Sequence, residues 1–303
     1  MAAKRLVVAG GSGFLGSHTS STGAWADVRH ANLLLQVPGS ANLQLHEAGR
    51  RSGEPRWDAV TDSSDRPSWA SSVEWAKADL LKPESYKPFL TNASAVVHSM
   101  GILLEADYKG VVQGREPIVS GLQRAFSSSK LGSQNPLTRH EGESLEPKEK
   151  DGQLTYELMN RDSAIALAQE SSSEHVPAFV YISAAAGAPV LPARYITTKR
   201  EAEATITSTL PELRSIFMRP AFMYDNSRKF TLPIALGGFV ASEFNTLLGN
   251  KLGFLGAMAE KPLKVDVVGE AVVEALEDES TRGAVGTKQI EALATKAWRK
   301  SML

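Results

Sequence analysis

The chain has 303 residues, which points to about two domains or one large α/β domain. Lys and Arg number 33 and Asp and Glu 34, a formal net charge of −1 that excludes a strongly basic nucleic-acid binder held by bulk electrostatics. Cysteine is absent, which excludes disulfides, thiolate-held zinc, iron–sulfur clusters and a thiol nucleophile.

In chain order, residues 4–9 are a short β-branched run that ends in Gly10-Gly11 and reads as a buried parallel strand. Residues 19–50 follow with little pattern: Thr19-Ser20-Ser21-Thr22-Gly23 is poor helix material, and Pro38-Gly39-Ser40 breaks the next run. Further strands are expected at 73–78, 93–97, 178–183 and 214–219, and helices at 116–127, 156–170, 197–209 and 268–279. Residues 127–153, rich in Ser, Glu, Lys, Gly and Pro, read as a long mobile loop. Strands alternating with helices predict a Rossmann-like, doubly wound α/β fold. The expected division is a dinucleotide-binding domain at 1–220 and a smaller helical, substrate-side region at 221–303.

No transmembrane helix is expected, because the most apolar stretch, 232–241, is about half of a bilayer span. The start, Met-Ala-Ala-Lys-Arg, shows neither a signal-peptide core nor an amphipathic presequence, so the residues alone predict a soluble intracellular chain. Residues 230–258 carry Phe, Leu and Met with Gly and read as core and pocket lining, with peripheral lipid or quinone contact as the alternative. The six histidines form no His-x-x-x-His or His-x-Glu pattern, so no metal is assigned.

Two motifs carry chemistry. Gly10-Gly11-Ser12-Gly13-Phe14-Leu15-Gly16 follows the first strand directly. Glycines at 10, 13 and 16 allow a tight turn, close approach of backbone N–H groups to a pyrophosphate, and packing of helix on strand. Tyr195-Ile196-Thr197-Thr198-Lys199 is a Tyr-x-x-x-Lys that opens a helix just after a strand end at Ser183. A spacing of four puts both side chains on one helix face, where a lysine ammonium can lower a phenol pKa and make it a usable acid or base.

Together these residues make the chain resemble the extended short-chain dehydrogenase/reductase superfamily in its atypical, NAD-dependent epimerase/dehydratase-like branch. The resemblance runs from residue 4 to about 293, apart from 19–50. Glu74-Trp75-Ala76-Lys77-Ala78-Asp79, residues 98–105, Tyr156-Glu157-Leu158-Met159-Asn160, residues 195–203 and Arg219-Pro220-Ala221-Phe222-Met223-Tyr224-Asp225 are similar to one fungal group within it. That group comprises mitochondrial NAD(P)-binding proteins associated with the coenzyme Q biosynthetic complex. The resemblance implies a mitochondrial location, a role in ubiquinone synthesis, and NADP or NAD as cofactor.

Carried onto this chain, the superfamily pattern gives the run Gly10, Ser12, Gly13, Phe14, Leu15 and Gly16 the pyrophosphate. It places Asp79 and Leu80 at the adenine, and His98, Ser99 and Gly101 along the adenine ribose and nicotinamide. Tyr195 and Lys199 become the catalytic pair, and Pro220 flanks the nicotinamide. Arg51, in Arg50-Arg51-Ser52, would follow the second strand, where a guanidinium holds a 2′-phosphate and favours NADP. Three departures stand out. Where the superfamily has its catalytic Ser or Thr just past Ser183, this chain has Ala184-Ala185-Ala186, so either Ser183 substitutes or, in a conventional strand register, the hydroxyl is missing. Arg219-Pro220-Ala221 replaces Arg-Pro-Gly. Residues 19–50 replace a compact helix and strand, as a retained intron or a genuine insertion. Two functions follow: an enzyme of redox or isomerising chemistry on a ring intermediate, or a silent cofactor-binding subunit of a complex, with an NADP-sensing regulator as a further alternative.

Overall fold

The computed structural model describes residues 5–10, 29–35 (backbone only), 57, 63–102, 140, 142–146, 155–187, 192–224, 236 and 260–302. Seven parallel strands form one sheet in the order β3-β2-β1-β4-β5-β6-β9. They are β1 (Arg5–Ala9), β2 (Arg29–Leu35), β3 (Val73–Ala78), β4 (Ala95–His98), β5 (Ala178–Ile182), β6 (Arg214–Arg219) and β9 (Gly283–Gly286). The short strands β7 (Met223–Tyr224) and β8 (Leu263–Lys264) pair with each other in parallel. This is the doubly wound order, with its reversal between β1 and β4.

The first strand shows why the sequence folds this way. Strand side chains alternate between faces. Val7 and Ala9 join the core on one side of the sheet, and Leu6 and Val8 the core on the other. All four are fully buried, which is why the run is continuously apolar rather than alternating. Burying each of the larger ones contributes about 1.5–3 kcal/mol. Helices α1 (Pro83–Leu90), α2 (Ser163–Ser173) and α3 (Ala193–Thr209) supply Tyr86, Leu90, Ile165, Leu167 and Ile206 to the first core. Helices α4 (Val265–Glu277) and α5 (Thr287–Ser301) supply Val268, Val272, Leu276 and Ile290 to the second.

Several boundaries differ from expectation. The fourth strand starts two residues late because Asn92 takes a left-handed conformation at φ 60° and Ala93 N–H turns back to Leu90 O at 2.9 Å. The helix expected at 156 opens instead as a π-helical turn over Glu157–Asp162 before α2 continues. Helix α3 begins at Ala193, directly after Pro192, so Tyr195 sits in its first turn. Helix α4 stops at Glu277, where Asp278 Oδ1 accepts from Ser280 N–H at 3.1 Å.

Of the atypical stretch at 19–50, residues 29–35 form β2, and Arg29–Leu35 lies between β1 and β3 in the expected place of a second strand. The expected helix at 116–127 lies outside the described residues. Of the stretch at 127–153, residue 140 and residues 142–146 are described. There Leu145 is buried, its N–H bound to Leu81 O at 2.7 Å, and Gly142 N–H donates to the buried Glu170 at 2.8 Å. Within 221–303, β9 completes the main sheet beside β6, and α4 and α5 cover its second face.

Candidate active site

The carboxyl ends of β1 and β4 border the crevice where the strand order reverses. Gly10 ends β1 at φ +90°, a conformation that a side chain strains. A Cβ there would lie 2.8 Å from both Met100 Sδ and Ser99 Oγ. The first glycine of the motif therefore meets a steric need of this fold, because the turn after β1 touches the exit of β4. Ser99 closes the same junction, its N–H and Oγ both donating to Ala9 O, at 3.0 and 2.8 Å. Ser12, Gly13, Phe14, Leu15, Gly16 and Arg51 lie outside the described residues.

Asp79 and Leu80 follow β3. Asp79 is half-buried, and burial raises its carboxyl above the usual range. One carboxyl oxygen accepts from Leu81 N–H at 3.0 Å, a turn closed on its own backbone. Leu80 is fully buried in the core. Asp79 is not the cap of α1; that position belongs to Lys82.

His98 ends β4 and is fully buried. Its Nε2 lies 3.0 Å from Ser163 Oγ, whose own hydrogen goes to Met159 O at 2.8 Å. Ser163 Oγ therefore accepts, which puts the imidazole proton on Nε2. Burial, aided by the charge of Lys199, holds the ring pKa down at about 3, so it is neutral. Its Nδ1 is buried and has no hydrogen-bond partner among the described residues. Just beyond, Gly101 is exposed and lies against Asn160; a Cβ there would meet Asn160 Oδ1 at 2.9 Å. The Asn160 amide pairs with Ile102 as a strand would, accepting from its N–H at 2.9 Å and donating to its carbonyl at 3.1 Å.

Tyr195 and Lys199 share the face of α3 that meets this exit. Lys199 is buried, and its Nζ lies 5.8 Å from the Tyr195 ring centroid. Its hydrogen bonds go elsewhere, to Ile182 O at 3.1 Å and Tyr181 Oη at 3.5 Å. Burial pushes the ammonium down to about 7; Glu203 opposes this and Arg200 adds to it. Burial also pushes Tyr195 up to about 12, so in this geometry the lysine does not lower the phenol. Tyr195 is braced by the edge-to-face ring of Tyr156, at 6.0 Å between centroids. The neighbouring Arg194 donates to Glu157 Oε1 at 2.8 Å, which ties the start of α3 to the π-helical turn.

Ser183 is buried at the end of β5, where its Oγ accepts from Arg200 Nη1 at 3.0 Å. Arg200 Nη2 donates to the carbonyls of Ala184 and Ala185, at 2.8 Å each. Its Nη1 also reaches Glu203 at 2.7 Å, and Glu203 accepts from Arg219 as well. Pro220 is buried and its carbonyl accepts from Ala185 N–H at 2.8 Å. The spacing of residues did not reveal Asn160, Tyr181, Arg200 or Glu203. Asn160 does fall in the Tyr156–Asn160 stretch that carried the resemblance, and Glu203 follows Lys199 by one helical turn.

These residues fit a nicotinamide dinucleotide. The Gly10 turn admits no side chain, and among the described residues two of the three N–H donors of the Lys199 ammonium have partners, which leaves one for an acceptor beneath the exposed Gly101. Among the described residues no His, Asp or Glu group could hold a metal ion, and no helix is long and apolar enough to cross a membrane.

No family model matches the chain. It is 29% identical over 305 residues to MIOREX complex component 2 of Saccharomyces cerevisiae, across 94% of this chain and 98% of that protein. In fold it is similar to UDP-N-acetylglucosamine 4-epimerase from Methanobrevibacter ruminantium, with a TM-score of 0.51 and 14% identity over 95% of this chain and 77% of that one. It is similar also to vestitone reductase from alfalfa, with a TM-score of 0.50 and 14% identity over 93% and 76% of the two chains. A variant of UDP-glucuronic acid 4-epimerase from Bacillus cereus, solved in complex with NAD, gives a TM-score of 0.50 and 13% identity over 93% and 76%. The fold is thus the Rossmann-like fold that this epimerase and this reductase share, as the sequence predicted.

Proposed function

We propose that this chain is a mitochondrial NAD(P)-binding protein that supports ubiquinone synthesis as a subunit of a biosynthetic complex. The observation that carries the cofactor reading is the junction of Gly10 with Ser99 and Met100 at the strand-order reversal, the place where such sheets hold a dinucleotide. The similarity to a yeast complex component supports membership in a complex, and that to an NAD-bound epimerase supports the cofactor; ubiquinone synthesis rests on the sequence resemblance.

In this reading the Gly10–Gly16 turn holds the pyrophosphate, and Asp79 and Leu80 border the adenine. His98, Ser99, Gly101 and Pro220 line the path to the nicotinamide, and Arg51 selects NADP over NAD. The bound nicotinamide supplies hydride chemistry. Lys199 orients it by the donor that no described residue takes, beneath Gly101.

A role as a silent subunit is favoured by Ser183, whose hydroxyl is engaged by Arg200, and by Tyr195, which burial pushes up. The second reading is turnover, a redox or isomerising step on a ring intermediate with Tyr195 as acid and base. It is favoured by the shared helix face of Tyr195 and Lys199. An experiment separates the two. NADPH and NADH fluorescence is titrated with the purified protein, and a Tyr195→Phe variant is then compared in a quinone-production assay. Binding with unchanged quinone output in the variant supports the silent subunit. Binding with output lost and the complex intact supports turnover. Absence of binding to either nucleotide refutes the cofactor reading.

A further inference from the structure

Lys199 carries a second relationship that the Tyr-x-x-x-Lys motif does not contain. Its Nζ lies 5.1 Å from the ring centroid of Tyr181, nearer than the 5.8 Å to that of Tyr195. It donates to Tyr181 Oη at 3.5 Å and makes no hydrogen bond to Tyr195 among the described residues. Tyr181 is fully buried, and its own hydroxyl donates to the backbone carbonyl of Asn160 at 2.5 Å. That carbonyl belongs to the π-helical turn at Glu157–Asp162. Wide turns of this kind break the regular i→i−4 ladder and are frequent at functional sites. The Asn160 side chain meanwhile binds both backbone groups of Ile102 at the exit of β4. One buried chain of contacts, from Ile102 through Asn160 and Tyr181 to Lys199, therefore joins β4, the wide turn, β5 and α3 around a single ammonium.

We propose that Tyr181 is the positioning residue for Lys199, holding its ammonium between the phenol oxygen and Ile182 O while the wide turn fixes the phenol through Asn160 O. The direction of the hydrogens requires this arrangement. Tyr181 has one hydrogen, and Asn160 O takes it, so among the described residues its oxygen lone pairs face one donor, the ammonium. Among the described residues no hydrogen bond holds the Tyr195 hydroxyl, which leaves it to meet a ligand. The proposal rests on the cofactor reading only for its consequence, since the contacts exist without a ligand.

The groups that set the charge of Lys199 are few. Glu203 and Arg200 lie on its own helix, and Arg219 reaches it from β6 through Glu203. His98 from β4 is neutral. Glu157, on the π-helical turn, is paired with Arg194. None of these is altered by removing one phenol oxygen. A neutral acceptor that faces an ammonium favours its charged form. Its loss in Tyr181→Phe should therefore lower the titration midpoint of Lys199.

The test is lysine side-chain NMR of the full chain without nucleotide, with the Lys199 signal assigned by its absence in Lys199→Met. The wild type should titrate near pH 7. The midpoint should fall by about half a pH unit or more in Tyr181→Phe and stay in place in Tyr195→Phe. An unmoved or raised midpoint in Tyr181→Phe, or a fall in Tyr195→Phe alone, overturns the proposal. If Tyr181→Phe fails to fold, tyrosine ring-carbon signals of the wild type decide. The Tyr181 signal should track the Lys199 midpoint, and a Tyr195 signal that tracks it in its place overturns the assignment. Nucleotide titration of the same samples separates the two readings. Loss of binding with the Tyr181 dependence intact refutes the cofactor reading alone, and the reverse refutes this one alone.

Discussion

Arg200 Nη1 donates to Ser183 Oγ at 3.0 Å, and the same guanidinium holds the carbonyls of the two residues that follow Ser183. The end of β5 is thus tied to α3 by an arginine, at the place where a catalytic hydroxyl was expected. Ser183→Ala removes one hydrogen bond to a charged donor, worth about 1.5–3 kcal/mol. Its expected signature in urea unfolding is a loss in that range, with nucleotide affinity within about twofold of wild type. Arg200→Met leaves the Ala184 and Ala185 carbonyls without that donor and should be the more destabilising of the two. A tenfold loss of nucleotide affinity in Ser183→Ala, with stability unchanged, would instead make Ser183 a ligand-binding hydroxyl.

Gly10→Ala tests the crevice floor. The new Cβ meets Met100 Sδ and Ser99 Oγ at 2.8 Å, and the backbone stands at φ +90°. Strain of this kind costs about 1–3 kcal/mol. Met100→Ala in the same chain should recover only part of it, because the backbone strain and the Ser99 contact remain. The measurement is the unfolding midpoint of the three proteins together with NADPH affinity. A Gly10→Ala variant as stable as wild type with equal affinity would show that the turn tolerates a side chain.

The sequence made the local part of this molecule legible and hid the non-local part. Residues 214–219 could be read because the apolar run Ile216-Phe217-Met218 at their centre is buried and marks the strand directly. The Tyr195–Lys199 pair was visible because its spacing is set by one helix. Its hydrogen-bond partners were not. Tyr181 comes from β5, and Asn160 from a turn whose π geometry no periodicity announces. Arg200 stands beside the motif with no spacing to single it out, yet it holds the carbonyls at the exit of β5. The start of α3 was misplaced because Ala193 and Arg194 carry no apolar signal, although Pro192 marks it.

Glu203 joins two arginines that repel each other. It is buried, accepts from Arg200 at 2.7 Å and from Arg219 Nε at 3.1 Å, and the two guanidinium groups are partly exposed. Removing one member of a buried charged cluster is strongly destabilising, at about 3–5 kcal/mol, because it leaves charge uncompensated. Glu203→Gln is expected in the lower part of that range, since solvent reaches both arginines. Arg219→Met should cost less, because Glu203 keeps Arg200. Equal losses in the two variants, read from denaturant midpoints, would refute this order.

His98 gives the fold a pH dependence whose sign can be worked out. Its pKa is about 3 in the folded chain, against 6.5 for the free side chain, because burial and the Lys199 charge disfavour the imidazolium. Between those values the unfolded chain binds a proton that the folded chain does not. Stability therefore rises with pH across this window, is fully present above about 6.5, and is lost as pH falls towards 3. At most one proton is involved, which gives a slope of up to about 1.4 kcal/mol per pH unit. Carboxylates lose stability in the same range, so the wild-type curve alone does not isolate the histidine. His98→Gln does, since its amide N–H can still donate to Ser163 Oγ and nothing at that position titrates. The variant should be less stable than wild type at pH 7, and its loss on acidification to pH 4 should be shallower. The measurement is the free energy of unfolding of both proteins at half-unit intervals from pH 7 to 4. Two parallel curves would mean that His98 titrates alike in the folded and unfolded chains, against the burial of its ring.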